Sequence, residues 1–276
     1  MATTHLPVVG GHPREPATTT RTDNWWVGPT ATFAFLSAIL VYLTWALLQG
    51  SHYYAAPYLS PVYSPVLFAV PGAPGGAPVE HAWFGTWPSW WPGFLPASPA
   101  LFALVAPGAF RFTCYYYRKA YYRSFVGSPP ACAVVPLAEG RTYRGETALL
   151  LFQNLHRYTM YLAVAYLPIL YYDVIVALSR DGEFGIGIGT LVLAINATLL
   201  SCYTFGCHSF RHVVGGHDDC MSCGQSTPKF NIWKTATWFN GRHMQFALIS
   251  FFWVAFTDFY VRMVSMGFIH DFNTWN

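Results

Sequence analysis

TATFAFLSAILVYLTWALL, residues 30–48, runs nineteen positions without a charge. A helix needs roughly 20 mostly apolar residues to cross ~30 Å of hydrocarbon, and this stretch meets that requirement. Working outward, four more stretches share its character: residues 99–117, 148–178, 185–206 and 239–266. The third and fifth of the five exceed the minimum and should tilt or project past the headgroups. Composition agrees, since 54% of the 276 residues are hydrophobic, 18% aromatic and only 10% charged. A water-soluble domain carries roughly a quarter charged residues, so much of this surface must face lipid. The expected fold is an all-α integral membrane bundle of five transmembrane helices, residues 30–276, behind a polar tail, residues 1–29. That tail has no apolar core of the signal-peptide kind and reads as disordered or partner-bound. A net charge of +3, spread over loops, does not suggest nucleic-acid binding.

Orientation follows from Lys and Arg. The loop 50–98 contains neither. The connection 111–147 contains Arg111, Arg118, Lys119, Arg123, Arg141 and Arg144, and the connection 207–242 contains Arg211, Lys229, Lys234 and Arg242. Arg14 and Arg21 lie in the tail, whereas the opposite side receives only Arg180 and Arg262. The asymmetry predicts a multi-pass chain with a cytoplasmic amino terminus and an outside carboxyl terminus. The Trp and Tyr of the outer loop 50–98 read as interface anchors. Asp258 and Arg262, four residues apart, are expected to pair, which makes both tolerable in a membrane.

This topology collects all six cysteines at the inner face: Cys114, Cys132, Cys202, Cys207, Cys220 and Cys223. The cytoplasm is reducing, so metal or cluster ligation is a better reading than disulfides. His156, His208, His212, His217 and His243 share that level. His156 is about eight residues into the third span, roughly 12 Å from its start. His243 is about one turn into the fifth, Cys207 ends the fourth and Cys114 ends the second. Two thiolates and two imidazoles match a Rieske-type two-iron, two-sulfur centre or a tetrahedral metal such as zinc. Each position alone could equally be a small apolar Cys or a hydrogen-bonded core His. His208 and His212 share a helix face, and Cys220-x-x-Cys223, lacking a second pair, is a weak metal signal in a loop. Tyr115, Arg118 and Tyr122 emerge together at the inner interface, where aromatic faces and donors could hold a quinone headgroup. A snorkelling aromatic–basic belt explains them equally well.

At these residues the chain resembles the membrane-anchor subunit of actinobacterial-type (type F) succinate dehydrogenase. The matching stretches are FRFTCYYYRKAYYRSF with SPPACAV (110–134), YRGETALLLFQNLHRYTMYLA (143–163), CHSFRH (207–212) and RHMQFALIS (242–250). The resemblance covers nearly the whole chain, least in the tail and after His212. It implies an anchor for a flavoprotein and an iron–sulfur subunit on the cytoplasmic side, passing electrons from succinate to a membrane quinone such as menaquinone. It also implies a Rieske-type cluster in place of haem b, with Cys114, His156, Cys207 and His243 as first-choice ligands and Cys132, His208 and His212 in reserve. Tyr115, Arg118, Tyr122 and Arg211 are the expected quinone residues. The C-x-x-C departs from the family pattern. Alternatives are a haem b anchor using His156 and His243, and a metal-binding membrane protein without electron transfer. Transport is disfavoured by the lack of an obvious internal repeat or midplane polar path.

Overall fold

A computed structural model of the protein describes residues 15–137, 154–216, 220, 223 and 228–275. The chain enters through helix α1 (Val27–Gln49) and returns through three short helices, α2 (Ala100–Ala103), α3 (Val105–Thr113) and α4 (Tyr115–Ala120). Helix α5 (His156–Val176) and α6 (Ile188–Phe205) follow, then α7 (His208–Gly215), α8 (Pro228–Asn240) and α9 (His243–Ser265). Among the described residues, four helices are long and apolar enough to cross a membrane: α1, α5, α6 and α9.

The expected second span, 99–117, is the exception. It is a shorter apolar run, Ala100–Thr113, with one break at Leu104 and a second at Cys114. Pro107 has no N–H to offer the carbonyl of Ala103, so the helix restarts. At Cys114 the backbone turns extended, with φ −65° and ψ 133°. The expected third span lies partly outside the described residues, which resume at Asn154, and His156 opens α5.

Helix α9 packs along α6, α6 along α5, and α5 along α3, while α1 leans on α9 and α7 on α8. A core of Leu36, Phe110, Cys114, Tyr117, Met160, Tyr203, Cys207, Ala247 and Phe251 closes one end of the bundle. Val41, Leu162, Ile195 and Phe252 stay exposed on the outer faces, as lipid-facing side chains should.

Residues 50–98 fold into a cap over the other end. Gly50, with φ +61°, ends α1 where a Cβ would sit 2.5 Å from the Ala97 carbonyl oxygen. Two-residue strands β1 (Tyr54–Ala55) and β2 (Tyr58–Leu59) pair antiparallel. Three tyrosines of the loop are core residues and not interface anchors: Tyr53, Tyr58 and Tyr63 are at most 2% exposed, with Tyr53 stacked on Tyr63 at 4.1 Å. Cap and bundle share polar contacts, since Asp258 accepts from Ser60 Oγ and from Tyr42 Oη, the latter at 2.7 Å. Asp258 also pairs with Arg262 at 3.3 Å, and both are buried, as the i, i+4 spacing predicted. The carboxyl-terminal segment joins this end, where Asp271 accepts from Tyr58 Oη at 2.7 Å and from the Gly189 N–H at 2.9 Å. The four expected ligands lie at the opposite end. There, residues 17–19 of the tail run beside residues 133–135 through backbone hydrogen bonds, so this part of the tail, expected to be disordered or partner-bound, packs on the chain itself. The first fourteen residues lie outside the described ones.

Candidate metal centre

Cys114 and Cys207 occupy the same kind of place. Each follows a helix that stops, each has extended backbone (φ −65°, ψ 133° and φ −64°, ψ 139°), and each precedes a new helix, α4 or α7. Each is also the fifth residue of an aromatic-x-x-x-Cys string, Phe110 to Cys114 and Tyr203 to Cys207. One helical turn separates aromatic from sulfur, so both look into the same space. Cys207 is only 1% exposed, and its Sγ accepts from the Ser209 N–H at 3.3 Å. Burial pushes the Cys207 thiol up to about 11. It is therefore protonated at neutral pH unless a cation holds it as thiolate.

The two histidines complete a crossed arrangement. His156 Nε2 lies 3.1 Å from Cys207 Sγ, and His243 Nε2 lies 3.6 Å from Cys114 Sγ. Phe110, from the Cys114 side, stacks on His156 at 4.9 Å and 4°. Tyr203, from the Cys207 side, stacks on His243 at 4.8 Å and 15°. Phe110 and Tyr203 touch each other at 5.2 Å. All four donors, with Thr113, Tyr115, Tyr116, Lys119, His208, Ser209, Asn240 and Met244, line one cavity of about 560 Å³. The donors stand as two pairs, and among the described residues no three His, Cys, Asp or Glu groups converge on a single point.

Does this set fit an iron–sulfur centre? The donor chemistry does, being two soft sulfurs and two imidazoles in one cavity. The imidazole contacts fit as well. His156 Nδ1 is 2.9 Å from Thr113 Oγ1, which leaves Nε2 facing the sulfur. A ligating His commonly donates its other N–H to such an oxygen. Among the described residues His243 Nδ1 is buried with no hydrogen-bond partner, an orphan polar atom of the kind that a bound group satisfies.

The remaining expected residues divide. His208 lines the cavity; His212 is further along α7, outside the lining. Cys132 is exposed, beside the Arg123 guanidinium at 3.7 Å and away from the four donors. Tyr115 lines the cavity, and the Arg118 guanidinium lies over its ring at 5.8 Å. Tyr122 has Arg123 over its ring at 5.9 Å, outside the lining. Arg211 Nε donates to Thr237 Oγ1 at 3.1 Å and its guanidinium lies over Trp233, which ties α7 to α8 instead of facing the cavity. The C-x-x-C corrects an expectation: Cys220 and Cys223 form a disulfide, with Cα atoms 5.4 Å apart, inside the range such a bond needs. His217 and the acidic residues between lie outside the described residues.

Three residues of the site lie outside the sequence reading: Thr113, Phe110 and Tyr203. The repeated aromatic-x-x-x-Cys spacing was a visible signal for two of them. Nothing in the sequence marked Thr113 as the partner of a histidine 43 residues away.

The family described as "Actinobacterial succinate dehydrogenase subunit SdhC" matches residues 27–267. A solved structure, "Mycobacterium smegmatis Sdh1 complex in the apo form", contains a chain 41% identical to this one, with a TM-score of 0.81. The match covers 95% of this chain and 96% of that one. No curated protein sequence matches.

Proposed function

The chain belongs to the actinobacterial succinate dehydrogenase subunit SdhC family, and on that premise we propose that it relays electrons from succinate oxidation to a membrane quinone through a Rieske-type centre. It is a membrane subunit of a succinate dehydrogenase complex. The flavoprotein and iron–sulfur subunits would dock on the cytoplasmic side, at the end that holds the Cys/His cavity, and oxidise succinate there. This chain by itself would have no dehydrogenase activity. One observation carries the reading: two cysteines and two histidines from separate segments of the bundle line one cavity.

Cys114, Cys207, His156 and His243 would hold the centre, which supplies a one-electron relay. The chain's own residues prepare the place. Thr113 fixes the tautomer of His156 so that Nε2 keeps its lone pair. The Ser209 N–H offers a hydrogen bond to the Cys207 sulfur and favours its charged form. Phe110 and Tyr203 cover the imidazoles and keep water off them. At the mouth, Tyr115 and Arg118 provide an aromatic face and a cation for a quinone headgroup, menaquinone being the expected one. Tyr122 and Arg211 are held by other partners and would act, if at all, at the rim.

The test is chemical analysis of the purified complex for iron, acid-labile sulfide and haem, with electron paramagnetic resonance of the reduced protein. A two-iron signal with stoichiometric sulfide is expected. His156→Ala with His243→Ala should abolish that signal and quinone reduction while insertion in the membrane persists. Stoichiometric haem b without sulfide would replace this reading with a bis-histidine haem anchor. Zinc without iron would leave a structural metal.

A further inference from the structure

Two arginines turn inward on the bundle. Arg262 is neutralised by Asp258. Arg111 is not. Its Nη1 donates to Tyr117 Oη at 2.7 Å and to the Ala247 carbonyl at 3.2 Å, and its Nη2 donates to Ser250 Oγ at 2.9 Å. The guanidinium lies over the rings of Tyr203 at 4.7 Å and Phe251 at 4.9 Å. Every one of these partners is neutral, and among the described residues no carboxylate pairs with Arg111. Ala247 and Ser250 lie one and two turns beyond His243 on α9, so the side chain reaches toward the bundle interior and does not snorkel outward. A partly buried cation without an anion is costly in an apolar bundle. Its position indicates where the missing negative charge belongs. The Tyr203 ring meets both the guanidinium, 4.7 Å from its centroid, and the His243 imidazole, stacked on it at 4.8 Å, and Cys114 is three residues further along the chain.

We propose that Arg111 is the fixed counter-charge of the redox centre, a positioning residue that favours its reduced state. The inference rests on the reading above. Two thiolates and two sulfides would balance a diferric pair, so one electron added by the soluble subunits would leave net negative charge. A neighbouring guanidinium would lower the energy of that state more than that of the neutral oxidised one. Neutral acceptors on Tyr117, Ala247 and Ser250 hold the cation without cancelling it, which a carboxylate would do.

A redox titration of the intact complex, followed by electron paramagnetic resonance, tests this with Arg111→Gln, Arg111→Lys and Ser250→Asp. Arg111→Gln should keep iron and sulfide content but lower the reduced-to-oxidised ratio at a fixed potential by about tenfold, equal to 59 mV for a one-electron couple. Arg111→Lys, which keeps the charge, should stay near the wild-type potential. Ser250→Asp leaves Arg111 in place and neutralises it, so it should shift the potential the same way, and it decides the matter if Arg111→Gln fails to assemble. An unshifted potential in the neutralised variants, or an equal shift in Arg111→Lys, overturns the proposal. A wild-type complex without sulfide overturns the cluster reading instead, and the two failures are distinguishable.

Discussion

Thr113 is placed to orient His156 without facing the sulfurs itself. It is buried, its Oγ1 bonds the Ala109 carbonyl of its own helix at 2.8 Å, and the same oxygen meets His156 Nδ1. Replacing it with Val keeps the shape and removes the oxygen. We expect Thr113→Val to lower cluster occupancy by about tenfold, in line with other losses of partners behind a ligating His. Thr113→Ser should restore it. Sulfide content and the amplitude of the paramagnetic signal are the measurements, and unchanged occupancy in Thr113→Val would remove Thr113 from the site. That two cysteines and two histidines share a level along the chain was legible in the sequence, because Cys and His carry distinctive chemistry. Their pairing was not: Cys114 faces His243 and Cys207 faces His156 only because the helices cross as they do.

At the scale of elements, the breaks matter as much as the helices. Both cysteines stand where a helix stops, and an unbroken second span would carry Cys114 at a different angle from the cavity. The cap makes a comparable use of irregular chain, locking to α9 through Asp258. Removing that carboxylate strands a buried arginine. Asp258→Ala should therefore destabilise the purified protein by about 3–5 kcal/mol, while Asp258→Leu combined with Arg262→Leu should cost much less. Gly50→Ala should destabilise as well, because the left-handed backbone and the Ala97 carbonyl both resist a Cβ. Thermal unfolding in detergent measures all three. A double variant as damaged as Asp258→Ala would show that the pair does more than neutralise itself. The apolar runs were readable as helices, but their interruptions at Leu104, Cys114 and Gly241 were not, since a proline or a glycine only permits a break and packing decides it.

At the scale of the molecule, the two ends differ in chemistry. One end carries the Cys/His cavity with Arg118, Lys119, Arg123 and Arg211 near it, and the other carries the cap without a single Lys or Arg in residues 50–98. The charge bias predicts that the cavity end faces the cytoplasm. Cys132 is exposed at that end and offers a direct check. A membrane-impermeant thiol reagent should label it in inverted vesicles and not in intact spheroplasts, with Cys132→Ser as the blank. Labelling from outside would reverse the orientation. Purification of this chain should also bring two soluble subunits with it.

Composition and local order were enough to read that the chain lives in a membrane, which stretches are apolar, which family it joins and which side chains could hold a metal. Those are properties of composition and of local order, and they survive without knowledge of neighbours. Packing alone makes the loop tyrosines core, stacks phenylalanine and tyrosine crosswise on the two imidazoles, and leaves Arg111 without a carboxylate among the described residues. Each of these depends on contacts between residues far apart in the chain, which no local pattern encodes.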